Sequence, residues 1–160
     1  MFLKRGDQTQ LCRQETNPMK DTLESLVSQI QEDIDQKTLE DYGSDFFQRW
    51  RDPQFMGRME TPTVSAALTG SCGDRIEIEL KIDNETITHA QFFTTGCGPS
   101  IACANTACEL AMNKDLEEAA GLEGQDILKV LKTVPEDKEH CAHLAAQTLR
   151  EAIRNYWARH

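Results

Sequence analysis

The hydrophobic pattern changes period along the chain, and those changes mark its elements. From Asp21, Leu23, Leu26, Val27, Ile30 and Ile34 recur every three or four residues among charges, which predicts a helix with one apolar stripe. The simplest expectation is that this stripe packs on the chain's own domain. The sharper alternative is a partner, or a second copy in a homo-oligomer. A second helix is predicted over 45–51 and stops before Pro53, because the residue preceding a proline is pushed out of helical backbone. The period then falls to two. Residues 63–69 read TVSAALT, and in 75–82, RIEIELKI, the residues Ile76, Ile78, Leu80 and Ile82 alternate with charged ones, the pattern of a half-buried strand. Asp83-Asn84-Glu85 is a turn signal, and 86–94 is a third strand whose weaker alternation leaves room for a bulge. The short connections predict an antiparallel meander.

Helical spacing returns over 100–112, 115–120 and 125–131. A last helix starts near Pro135 and carries Cys141, Leu144, Ala145, Leu149, Ala152, Ile153 and Tyr156 along one side. The fold class is therefore α+β: a three-stranded antiparallel sheet packed against helices, with an extra N-terminal helical extension. Residues 1–40 form that extension, irregular up to about residue 20 and helical beyond, and 41–160 form one domain.

Composition narrows the partners. A formal net charge of −10 and only 6% aromatic residues argue against nucleic acid or an anionic membrane as the main partner. No run of about 18 apolar residues is present to span a membrane. The opening MFLKRGDQTQ has no apolar segment of the secretory kind, so the expected location is cytoplasmic. In that compartment cysteines are more often metal-binding or catalytic than disulfide-bonded.

The cysteines then become informative. Cys97 stands between Gly96 and Gly98 just before a helix, where small neighbours let other groups approach and the helix N-terminus favours negative charge. In a meander, the turn after the first strand and the end of the third lie at the same end of the sheet. Strand parity therefore brings Cys72 and Cys97 together, with Asp74 in the same turn as Cys72. The segment EHCAH offers His140 and Cys141, which join them if the last helix docks with its N-terminus toward these loops. Three thiolates with a carboxylate or an imidazole suit zinc, or iron with sulfide. Asp74 and His140 are both candidates for the fourth position, and both hold iron less firmly than thiolate, the profile of a carrier. Cys103 and Cys108 read as small buried helix residues, Cys12 as incidental in a polar tail, and His89, His143 and His160 as solvated or satisfied. Trp50 and Trp157 read as core or edge aromatics.

These motifs resemble the NifU/IscU-type scaffold on which iron–sulfur clusters are assembled, over about 45–159. FFQRWRDPQFMG is similar to the family's N-terminal helix and turn, SCGDRIEIELKI to its first cysteine motif, FFTTGCGPSIACANTACEL to its second, and KEHCAHLAAQTLREAIRNYWAR to its third. The resemblance implies a non-catalytic scaffold that takes sulfur from a cysteine desulfurase, builds a [2Fe–2S] cluster and passes it to apo-proteins, with zinc as an alternative occupant. It implies Cys72, Cys97 and Cys141 as ligands and sulfur acceptors, Cys141 as the first persulfide acceptor, Asp74 in ligation or cluster lability, and His140 as an auxiliary ligand. Lys138 fills the family's lysine position, and Val134–Lys138 partly resembles a proline-rich segment read by a chaperone in some members. One competing resemblance is to zinc-bound SufU-type sulfur-transfer proteins, which carry an insertion between the second and third cysteines that this chain lacks. Another alternative is a structural zinc module that binds proteins.

Overall fold

The computed structural model describes residues 18–160; the tail with Cys12 lies outside the described residues. The element order is α1 (Pro18–Arg51), β1 (Val64–Thr69), β2 (Arg75–Asp83), β3 (Thr86–Thr94), α2 (Gly98–Ala111), α3 (Leu116–Ala120), α4 (Gly124–Leu131), a 3-10 turn (Glu136–Lys138) and α5 (Glu139–Trp157). The chain divides into two compact units, the first ending at Ile34 and the second beginning at Asp35. Helix α1 is broken at Gly43, whose backbone is not helical, so the two predicted helices meet there.

In the first unit the expected burial of the apolar stripe is not met. Leu23, Leu26, Val27, Ile30 and Ile34 are between 47% and 61% exposed. Helical spacing reports a shared face, and it carries no information on what covers that face.

The second unit holds the sheet, ordered β1-β2-β3 and antiparallel throughout. The anticipated bulge lies in β3: Lys81 pairs with His89 and Ile82 with Ile87, which leaves Thr88 as the extra residue. Asn84 and Glu85, both at positive φ, make the tight β2–β3 turn. That turn is at the opposite end of the sheet from Cys72. One face of the sheet, with Ile76, Ile78, Leu80, Ile87 and Phe92 fully buried, carries α2 and α5. The other face is only partly open. Glu79, expected toward solvent, is 7% exposed, because residues 58–59 fold over it and its carboxylate accepts from the Met59 N–H and from Arg58. No helix among the described residues is long and apolar enough to cross a membrane.

Helices α2 and α5 meet through small side chains. Ala102, Cys103, Ala107 and Cys108 on α2, and Ala142, Ala145, Ala146 and Ala152 on α5, are at most 1% exposed. Small residues let two helix axes approach closely. Cys103 and Cys108 thus belong to the packing, and burial pushes both thiols well above the ordinary cysteine range. Cys103 stays in the core because α2 begins at Gly98, earlier than the sequence pattern indicates.

Candidate metal centre

The end of the sheet away from the Asn84-Glu85 turn gathers three elements. The β1–β2 turn carries Cys72 and Asp74, and is closed by Gly70 N–H to Asp74 O at 2.9 Å and Gly73 N–H to Gly70 O at 3.0 Å. The β3–α2 connection carries Cys97, and α5 brings His140 and Cys141. The Thr94 hydroxyl ties the first two connections together, donating to Arg75 O at 2.7 Å and accepting from Gly96 N–H at 3.0 Å. Helix α5 docks in the orientation the site requires, with its N-terminus at this end.

One ligand atom each from Asp74, Cys97 and Cys141 lies within 4.8 Å of the other two. Cys97, at the N-cap of α2, is exposed; Asp74 is partly buried and Cys141 is fully buried. His140 Nε2 sits 3.5 Å from Cys141 Sγ. Cys72 is exposed at the tip of its turn and is not one of the close trio, though its charge reaches Cys141. Of the five residues singled out from sequence, the fold thus packs three tightly, sets His140 against one of them and leaves Cys72 at the rim. His89, His143 and His160 are exposed, as expected.

The two glycines around Cys97 make room for neighbours. A Cβ at Gly96 would sit 2.7 Å from Asp74 Oδ2 and 2.8 Å from Ser100 Cβ, and one at Gly98 would sit 3.0 Å from the Trp50 indole nitrogen. Any side chain at residue 96 would therefore push Asp74 away from Cys97. Trp50 is thus explained as a partly buried aromatic packed beside the loop, whereas Trp157 is 44% exposed.

Sequence reasoning missed Ser100. Its hydroxyl is 2.5 Å from Asp74 Oδ2 and 3.6 Å from Cys141 Sγ, with the residue 0% exposed. A serine in the first turn of a helix is common, and nothing local in the sequence says which groups it faces.

The electrostatics of the centre divide its members. Burial pushes the Cys141 thiol up to about 11; the Ser100 contact opposes this, and Cys97, Cys72 and Asp74 add to it. The metal-free thiol is therefore protonated at neutral pH, and a bound cation is what releases its proton. The Asp74 carboxyl is held below its ordinary range, first by the Ser100 hydrogen bond and then, against some desolvation, by the hydrogen bonds from Cys97. A depressed carboxyl contributes stability above its ordinary range and loses it as the pH falls through the folded-state value. In EDTA, the melting temperature of the wild type is expected to fall more steeply on acidification than that of Asp74→Asn. Parallel pH curves would show that these hydrogen bonds do not favour the ionised carboxylate.

Two or three thiolates with a carboxylate and a neighbouring imidazole, partly open to solvent, form a mixed sulfur–oxygen–nitrogen donor set. Fold and site together define a small α+β domain with a loop-borne group of candidate metal ligands at one end of a three-stranded sheet. The chain belongs to the NifU-like N-terminal domain family, whose family model matches residues 41–160. It is 36% identical over 118 residues to the iron-sulfur cluster assembly protein IscU of Plasmodium falciparum, covering 72% of both chains. It is 32% identical over 117 residues to the iron-sulfur cluster assembly scaffold protein IscU 1 of Archaeoglobus fulgidus, covering 72% of this chain and 76% of that one. A relative from Kluyveromyces lactis, 33% identical over 116 residues with 69% and 64% covered, is mitochondrial by name, so family membership alone does not fix the compartment. Among solved structures, the N-terminal part of a NifU-like protein from Brucella abortus matches with a TM-score of 0.62 at 15% identity, covering 76% of this chain and 98% of the other. At that identity the likeness speaks for the fold alone.

Proposed function

We propose that this chain is a non-catalytic scaffold for iron–sulfur cluster assembly in the cytoplasm. It takes sulfur from a cysteine desulfurase, holds a [2Fe–2S] cluster through Cys72, Cys97, Cys141 and Asp74, and passes it to apo-proteins. The observation that carries this reading is the convergence of Asp74, Cys97 and Cys141 within 4.8 Å at one end of the sheet, in a chain with relatives named as iron–sulfur cluster assembly or assembly scaffold proteins. The donor set fits the cargo. Thiolates hold iron firmly, and a carboxylate oxygen is the weaker, exchangeable position. His140, against Cys141, is placed to take the position that Cys141 leaves when it carries sulfur.

In the sulfur step, the Cys141 thiol first releases its proton to solvent, which bound ferrous iron favours, and the thiolate attacks the outer sulfur of the desulfurase persulfide. The S–S bond breaks, the desulfurase cysteine leaves as thiolate, and Cys141 becomes the persulfide with no net oxidation. Release of that sulfur as sulfide takes two electrons from an external reductant.

The test is anaerobic reconstitution with ferrous iron, L-cysteine, a desulfurase and a thiol reductant. The expected product is coloured, with sulfide-to-iron charge-transfer absorption of the [2Fe–2S] kind and equal iron and sulfide. A colourless product holding one tight zinc ion would favour sulfur transfer of the SufU type.

A further inference from the structure

Ser100 touches both the carboxylate and the buried thiol of the centre. It is the third residue of α2, fully buried between the buried Pro99 and the partly buried Ile101. The donors to Asp74 all converge on a single oxygen. The Cys97 N–H and Sγ reach Oδ2 at 3.4 Å each, and the Ser100 hydroxyl reaches it at 2.5 Å. Only the serine contact is short enough for a strong hydrogen bond. Among the described residues, no hydrogen bond to Oδ1 accompanies these.

We infer that Ser100 is a positioning residue: its buried hydroxyl anchors Asp74 through Oδ2 and so holds the carboxylate in the rotamer that sets an oxygen ligand beside Cys97 and Cys141. The inference rests on the reading of this trio as a metal centre. A free aspartate on a turn samples several rotamers, and fixing one of them before the metal arrives removes that entropic cost from binding. Cys97 is the weaker anchor, since its N–H lies 3.4 Å from Oδ2. Its thiol is itself a ligand, and a metal-bound thiolate has no proton to donate. The serine hydroxyl keeps its proton when metal binds, so the anchor persists in the loaded state.

Cobalt(II) titration of the full chain, reduced and anaerobic, tests this, with cobalt–thiolate absorption as the readout. Ser100→Ala is expected to weaken cobalt binding by about 10–100-fold, the usual effect of removing a group that orients a ligand. The thiolate absorption per bound cobalt should stay as in the wild type, whereas the melting temperature in EDTA should fall slightly with the lost Ser100–Asp74 hydrogen bond. In the Asp74→Ala background, adding Ser100→Ala should change the affinity less than twofold, because the serine acts through the carboxylate. Wild-type affinity in Ser100→Ala would overturn the inference. So would an equal loss with and without Asp74, which would make the serine a packing residue. Absence of saturable cobalt binding by the wild type would overturn the metal-centre reading, and the inference with it.

Discussion

Cys141→Ser is expected to abolish persulfide labelling of this chain by a cysteine desulfurase, whereas Cys72→Ser and Cys97→Ser are expected to keep it. Mass spectrometry reads the result as one added sulfur per chain. The expectation runs against simple accessibility, since Cys72 and Cys97 are exposed and Cys141 is 0% exposed. Exposure helps attack, but an exposed persulfide is also lost readily to other thiols. A persulfide on Cys141 is shielded by α2 and α5, and it lies beside Asp74 and Cys97, where iron would be bound. Access requires only that the start of α5 loosen. The preceding turn, Glu136–Lys138, has no buried residue, so moving it exposes little apolar surface. A small alkylating reagent should accordingly modify Cys72 and Cys97 quickly and Cys141 slowly in the metal-free chain. Full labelling of Cys141→Ser would reassign the acceptor to an exposed thiol.

Asp74→Ala is expected to slow the handover of a preassembled cluster to an apo-protein by about tenfold or more, the change produced by about 1.4 kcal/mol of added barrier. An acceptor thiolate displaces the weakest ligand first, and here that is an oxygen among sulfurs. Without it, the nearby His140 imidazole is available to complete the coordination, and imidazole suits iron better than water or carboxylate does. For a single metal ion the same change should lower affinity, because one ligand is gone. Loss of affinity for the lone ion together with slower cluster release is the signature of a ligand that serves as the exit. Transfer kinetics equal to the wild type would remove Asp74 from the release step.

The candidate site was partly legible before any coordinates. Strand parity is a local property, and it correctly set Cys72, Asp74 and Cys97 at one end of the sheet. The docking direction of α5 was not local. An apolar stripe on α5 is compatible with either direction along the sheet. The tight trio also differs from a simple three-cysteine reading. Asp74 stands inside it and Cys72 at its rim, because the Asp74 carboxylate is drawn to Ser100 while Cys72 sits at the tip of the turn. The exposed stripe on α1 shows the same limit from the other side: periodicity fixed which residues share a face and could not say whether anything covers it.

The sequence by itself determined the three strands, their antiparallel order, the α+β class and the set of residues able to hold a soft metal, since each depends on local period, turn chemistry or side-chain type. Only the tertiary structure decided which of those atoms come within bonding reach, and it added Ser100 to them. Distances of a few ångströms between α2, α5 and the β1–β2 turn are set by how small side chains interlock across the sheet. That complementarity joins segments far apart in the chain and leaves no periodic trace in any one of them.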